Sequence, residues 1–110
     1  MKKIAIVADG WRRYINYAWI SGCRQYIKEK KLDAQLYVFY AFGNFSKDEK
    51  YNQGEYNIIT LPDFRQFDGI IIELTNVLKR KYARKIIDTI RTSKVPAVSL
   101  LERIPGLYFA

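Results

Sequence analysis

The stretch that most constrains the fold is Phe67-Asp68-Gly69-Ile70-Ile71-Ile72-Glu73-Leu74. Three consecutive isoleucines follow a turn-forming Asp-Gly pair. The run is too short for an ordinary helix and does not alternate apolar with polar, as a half-buried strand would. It reads as a central strand covered on both faces, as in a parallel sheet between two helical layers. Asp68-Gly69 marks its entry. Glu73 interrupts the run where the strand should end, and open α/β sheets place their ligands at strand carboxyl ends.

The rest of the chain arranges itself around this strand. Residues 3–8 form a second apolar run, closed by Asp9-Gly10, and read as another buried strand. Residues 11–14 read as the loop at its carboxyl end. From Ile15 the period changes. Ile15, Ala18, Trp19, Gly22, Cys23, Tyr26 and Ile27 recur at three- and four-residue steps, which predicts a helix to about residue 30 with these positions facing the sheet. Gly22 on that face costs roughly 1 kcal/mol against alanine, and close packing on the sheet would compensate.

Residues 35–42 are rich in aromatic and β-branched side chains and predict a third strand. Ser46-Lys47-Asp48-Glu49 fits a capping box. A short helix over 47–53 follows, with Gly54 as its terminator and an extended segment from Tyr56 to Leu61. After the isoleucine strand, Thr75 or Asn76 caps a helix whose buried face is Tyr82, Ala83, Ile86, Ile87 and Ile90. Pro96 disfavours helical geometry at Val95 and ends it. Residues 95–101 are a fourth parallel strand, and 107–110 begin a fifth. The order βαβαβαββ with right-handed crossovers predicts an open parallel, flavodoxin-like α/β sheet of strand order 2-1-3-4-5, helices on both faces. The 110 residues suit a single domain.

Composition narrows the function. Net charge is +8, which favours an anionic partner without establishing one. Histidine is absent and Cys23 is alone. The commonest general base and metal ligand are therefore missing, and neither an internal disulfide nor a cysteine metal cluster is expected. No apolar run approaches the roughly 20 residues of a membrane span. No signal-peptide pattern follows Lys2-Lys3, so a cytoplasmic location is expected, with no membrane partner.

The order of elements, the Asp-Gly before Ile70-Ile71-Ile72, the Val95-Pro96-Ala97-Val98-Ser99-Leu100 strand and the Ile104-Pro105-Gly106 turn together resemble a known family. They are similar to the first lobe of the periplasmic-binding-protein-like sensor domains, the effector domains of lactose-repressor-type regulators. Ala8-Asp9 stands where that family ends its first strand, and Gly22 where its first helix carries a glycine. The stretches over 54–58 and 104–109 are closer to sensor domains attached to diguanylate cyclases or other signalling outputs. The resemblance implies a non-catalytic lobe that binds a small polar, sugar-like organic ligand, acts as a dimer and signals to an output domain in the same full-length chain. It also implies that these residues are the front part of a two-lobed protein. Arg13-Tyr14 replaces the family's Asn-Pro-Phe-Phe. The sequence contains no DNA-reading helix-turn-helix, and direct nucleic-acid binding by this stretch is not expected.

Site candidates are drawn from loops at strand carboxyl ends. They are Asp9, Trp11 and Tyr14 after the first strand, Asn44 after the second, Glu73 and Thr75 after the third, and Glu102 after the fourth. Rings supply stacking area and polar groups fix orientation. The plainer reading is that the aromatics pack on a helix start, Asn44 is turn chemistry and Thr75 a cap. The basic run Lys79-Arg80-Lys81 with Arg84, Lys85, Arg91 and Lys94 reads first as a solvated helix face, and second as a patch for an acidic partner.

Enzyme readings find little support. No phosphate-binding glycine loop follows the first strand, and no cofactor is implied. A phospho-receiver needs an acidic pair after strand one and an aspartate ending strand three; here stand Asp9 alone and Glu73. The chain is expected to be no enzyme, with a ligand-free dimerisation or interaction module as the alternative to sensing and a receiver-like domain behind both.

Overall fold

The computed structural model describes residues 1–9, 13–41, 47–59, 61–75, 77 and 80–110. In order, the elements are β1 (Lys2–Asp9), α1 (Arg13–Glu29), β2 (Ala34–Ala41), α2 (Glu49–Ile59), a 3-10 turn (Phe64–Gln66), β3 (Gly69–Glu73), α3 (Arg80–Ser93), β4 (Ala97–Ser99) and β5 (Tyr108–Phe109). The five strands form one all-parallel sheet of order β2-β1-β3-β4-β5, an open flavodoxin-like α/β arrangement. Among the described residues, no helix is long and apolar enough to cross a membrane.

The isoleucine strand sits at the centre. Ile70, Ile71 and Ile72 pair with Ala5, Ile6 and Val7 on one side and with Ala97, Val98 and Ser99 on the other. Strand alternation then sorts the side chains. Ala5, Val7, Ile70, Ile72 and Ala97 point into a core shared with Ile59 of α2 and with Tyr82, Ala83, Ile86, Ile87 and Ile90 of α3. The α3 stripe is the one its spacing predicts. Each fully buried aliphatic or aromatic side chain contributes about 1.5–3 kcal/mol, so this core carries most of the stabilisation.

Crossover handedness distributes the helices unequally. The step from β1 to β2 runs one way along the sheet, and the steps to β3 and β4 run the other way. Right-handed connections therefore put α1 alone on one face and α2 with α3 on the opposite face. Five strands about 4.8 Å apart are wider than one helix of about 10 Å. The consequence appears in burial. On the α2–α3 face, Ala5, Val7, Ile70 and Ile72 are fully buried. On the α1 face, Ile6 and Ala8 are buried but Ile4, Ile71 and Val98 only half-buried. The cover expected on both faces is therefore complete on the α2–α3 side and partial on the α1 side.

The buried side of α1 is only partly the one its spacing suggested, Trp19 among the expected positions being half-buried. Asn16 and Ile20 are buried, with Cys23 and Ile27 half-buried, while Ile15, Ala18, Gly22 and Tyr26 face solvent. A Cβ at Gly22 would meet nothing within 4 Å, so close packing on the sheet does not explain that glycine. The helix ends with Lys31 at φ 51°, where the Leu32 amide donates to the Ile27 carbonyl at 3.0 Å. This is a left-handed stop of the kind glycine usually fills.

α2 also departs from expectation. It continues through Gly54 to Ile59, where a terminator and an extended segment were expected. Gly54 costs about 1 kcal/mol in a helix interior. Burying Ile59, which the continued helix delivers into the core, contributes about 2–3 kcal/mol and outweighs it. Asp48 caps the helix, its Oδ1 accepting from the Lys50 amide at 3.0 Å. Ser46 of the expected capping box lies outside the described residues. Glu49 reaches across to α3, pairing with Lys81 at 2.9 Å and accepting from the Tyr82 hydroxyl.

The 3-10 turn was not foreseen. Asp63 caps it by accepting from the Arg65 amide. It delivers Phe64 edge-to-face against Phe39 at a centroid distance of 6.3 Å and tilted against Phe67 at 6.2 Å, and Phe39 and Phe67 themselves meet edge-to-face at 5.9 Å. β4 and β5 are shorter than expected. β5 still closes the sheet, the Ala110 amide donating to the Ser99 carbonyl at 3.0 Å and the Leu101 amide to the Ala110 carbonyl at 3.1 Å.

Candidate functional site at the strand carboxyl ends

In a parallel sheet every strand delivers its carboxyl end to the same edge. Glu73 is the last residue of β3 and is 1% exposed. A buried carboxylate needs partners, and its Oε1 accepts from the Thr75 amide at 2.8 Å and from the Thr75 hydroxyl. Thr75 is thus the partner of Glu73 and not a helix cap; α3 begins at Arg80. Strand parity sets Glu73 on the same sheet face as Ile71 and α1.

Glu102 lies in the loop beyond β4. Its Oε1 accepts from the Arg80 guanidinium at 2.5 Å, and its Oε2 is buried with no hydrogen-bond partner among the described residues. Arg80 also reaches the carbonyls of Leu74 and Val77, at 3.4 and 3.5 Å. One side chain therefore joins the exits of β3 and β4. Leu101, next to Glu102, holds φ 68°, a conformation that costs a non-glycine residue about 1–2 kcal/mol. Behind this rim, Ser99 is buried at the end of β4, and Asn16 is fully buried in the first turns of α1, its Oδ1 accepting from the Trp19 indole at 3.1 Å.

The candidates divide accordingly. Glu73, Thr75 and Glu102 sit on the carboxyl edge, the first two in direct contact. Asp9 ends β1 in register with Ala41. Tyr14 is in the first turn of α1 with its ring in solvent. Trp11 and Asn44 lie outside the described residues. Arg80 was not among the candidates, because in sequence it is one cation in a basic run. Asn16 was missed because a polar residue inside a helical pattern reads as solvent-facing. Arg103 turns away, its guanidinium 4.6 Å from the Phe109 ring centroid.

Two concavities lie elsewhere. A groove of about 680 Å³ runs between the 3-10 turn and α3, lined by Arg65, Lys81, Arg84 and Lys85 among others. A groove of about 630 Å³ lies beside α1 over β3 and β4, walled by Trp19, Cys23, Tyr26, Ile71 and Val98. Burial pushes the Cys23 thiol above its ordinary pKa, which disfavours the reactive thiolate at neutral pH. Among the described residues, no three His, Cys, Asp or Glu side chains are grouped to hold a metal ion.

The class these observations define is an open parallel α/β domain with a carboxylate-bearing rim. Comparison with protein-family models, with curated proteins and with solved structures gives no match.

Proposed function

We propose that this chain is a non-catalytic effector-sensing lobe of a signalling or transcription-regulatory protein, binding a small polar organic molecule at the carboxyl edge of its sheet. The observation that supports this reading is the buried Oε2 of Glu102, which has no hydrogen-bond partner among the described residues. A buried carboxylate oxygen without a donor is costly, and a ligand hydroxyl or amine that displaces the group covering it supplies the missing donor. Glu73 and Thr75 stand on the same edge, as ligand-binding groups of open α/β sheets do. A polyhydroxylated or amine-bearing ligand, sugar-like in its donor density, fits two carboxylates on one rim. In this reading the protein works in the cytoplasm, the ligand changes the geometry of a dimer, and an output domain in the same full-length chain receives the signal.

The test is a thermal-shift screen of sugars, polyols and amines, followed by calorimetry on any hit. Glu102→Gln and Glu73→Gln should each weaken binding about 10-fold or more, as loss of a charged acceptor costs. Binding that both variants leave unchanged refutes the rim as the site. A second reading, an interaction module without a small-molecule ligand, is favoured by the solvent-facing apolar side chains of α1.

A further inference from the structure

The two edges of the sheet are built differently. β5, at one edge, is two residues long. β2, at the other, runs for eight residues without a charge, a proline or a glycine. An exposed strand edge of that length is a template for pairing, and proteins that avoid pairing blunt it with lysine, proline or a bulge. The ladder to β1 fixes where its backbone groups point. The Lys2 amide donates to the Asp33 carbonyl at 2.8 Å, and Lys2 stands in register with Ala34. Backbone groups alternate sides along a parallel strand, so Asp33, Gln35, Tyr37 and Phe39 face β1. Ala34, Leu36 and Val38 turn their amides and carbonyls outward, where they have no hydrogen-bond partner among the described residues.

A groove lies along this edge. It holds about 480 Å³ between α1 and β2, and its walls include Ile20, Arg24 and Ile27 of α1 with Leu36 and Val38 of β2. Leu36 and Val38 stand in register with Ile4 and Ile6, on the sheet face that α1 covers. The same two residues thus offer side chains to the groove and backbone groups to the open edge. Val38 is 40% exposed. Arg24 is exposed and has no ion-pair partner among the described residues. Lys28 follows it one turn later on the same flank of the helix. Residues 24–33 hold four basic side chains and two acidic ones. Both acidic groups are engaged, Glu29 accepting from Gln25 at 2.7 Å and Asp33 pairing with the N-terminal ammonium at 3.3 Å.

We infer that this edge binds an extended acidic segment of a partner protein as an added strand beside β2. The outward amides and carbonyls of Ala34, Leu36 and Val38 pair with the segment's backbone. Its side chains two residues apart, apolar, enter the groove between α1 and β2, and its carboxylates meet Arg24 and Lys28. In strand addition the main-chain bonds supply affinity and the pocket beside the strand supplies specificity. Charge selects an acidic partner over a second copy. Pairing β2 with β2 about a two-fold axis sets two α1 flanks side by side, each bearing Arg24 and Lys28, and like charges there repel. An acidic strand meets the same flank with opposite charge. The inference holds whether or not the carboxyl edge of the sheet takes a ligand.

The experiment titrates the purified chain with a set of synthetic ten-residue peptides. Each carries glutamates at both ends and valine, isoleucine or leucine at alternate positions between them. Binding is read by fluorescence anisotropy and by NMR hydrogen exchange. Bound peptide should slow exchange of the Leu36 and Val38 amides and leave the Tyr37 and Phe39 amides as they were. Lysine in place of the peptide's glutamates should weaken binding about 10-fold or more, and so should N-methylation of one of its two sets of alternate amides. On the protein side, Val38→Pro removes an outward donor and leaves the β1 ladder intact. Arg24→Glu reverses the charge of the flank at an exposed position. With folding checked by circular dichroism, each should weaken binding about 10-fold, and Arg84→Glu, on the opposite face of the sheet, should not. Failure of the whole set to bind at millimolar concentration overturns the inference. So does binding that both N-methylated forms retain, or a dimer that Val38→Pro abolishes and no peptide displaces.

Discussion

Gly54→Ala tests the element that departs furthest from the sequence pattern. Gly54 is exposed in the interior of α2, its φ lies outside the left-handed region, and an added Cβ would meet nothing within 4 Å. The substitution then changes only helix propensity and the freedom of the unfolded chain. Both favour alanine, together by about 1 kcal/mol. For a domain near 100 residues that corresponds to a melting temperature higher by about 4–8 °C. If Gly54 instead terminated the helix in a left-handed cap, alanine would cost about 1–2 kcal/mol there, and the shift would reverse. Gly54→Pro sharpens the contrast, because proline in a helix interior costs about 3 kcal/mol and would threaten the burial of Ile59. The assay is thermal unfolding by circular dichroism at dilute concentration, where self-association does not contribute. A fall in melting temperature on Gly54→Ala would refute the continuous helix.

Further outcomes are expected. Arg80→Ala should destabilise by about 1–2 kcal/mol, a buried-pair loss discounted for the partial exposure of both partners. Arg80→Ala with Glu102→Ala should cost less than the sum of the single changes, and urea unfolding of the full cycle measures the coupling. Lys94 at φ 60° and Lys31 at φ 51° hold left-handed helix stops, so Lys94→Gly and Lys31→Gly should each stabilise by about 0.5–1 kcal/mol; a loss in both would refute that geometry. Hydrogen bonds from the Arg65 side chain and amide hold the Asp63 carboxyl below its ordinary pKa. The contribution of the pair is therefore present above the unfolded-state pKa and lost as pH falls through the folded one. The Asp63 titration midpoint, followed by NMR, should rise in Arg65→Met, and an unmoved midpoint would refute the contact.

The sequence was most legible where contrast was strongest. α3 alternates cations with isoleucines, so its stripe could point only one way, and the order of the strands followed from the apolar runs and the handedness of their connections. α1 was misread because it is apolar on two sides. The expected face joined Ile15, Ala18, Trp19, Gly22 and Tyr26 to Cys23 and Ile27, of which only Trp19, Cys23 and Ile27 turn partly inward, and periodicity alone cannot say which edge of so broad an apolar surface meets the sheet. α2 was misread because Gly54 and the β-branched residues after it argue locally for a stop, whereas the gain from burying Ile59 is tertiary. On the rim, Glu73 was legible as a charge that ends an isoleucine run. Arg80 was not, since only the chain's path brings it to Glu102, twenty-two residues away.

The proposed ligand rim and the proposed strand-addition edge share structural elements, and that has a thermodynamic consequence. Glu73 of the rim stands in register with Ala8 of β1, and Ala8 with Tyr40 of β2. On α1, buried Asn16 lies one turn before Ile20, which lines the groove beside β2. A ligand that moves Glu73 or the first turns of α1 therefore acts on elements that seat the added strand. Coupling between two binding events is reciprocal: the factor by which ligand tightens or loosens peptide binding equals the factor by which peptide changes ligand affinity. Typical couplings of 1–3 kcal/mol correspond to about 5–150-fold. Ligand affinity should accordingly differ between the free chain and the chain saturated with an acidic peptide, and Val38→Pro should keep the free-chain value in both conditions. An affinity independent of peptide, in a chain shown to take it at β2, would mean that rim and edge are mechanically separate. The path through Glu73–Ala8–Tyr40 and Asn16–Ile20 would then transmit nothing.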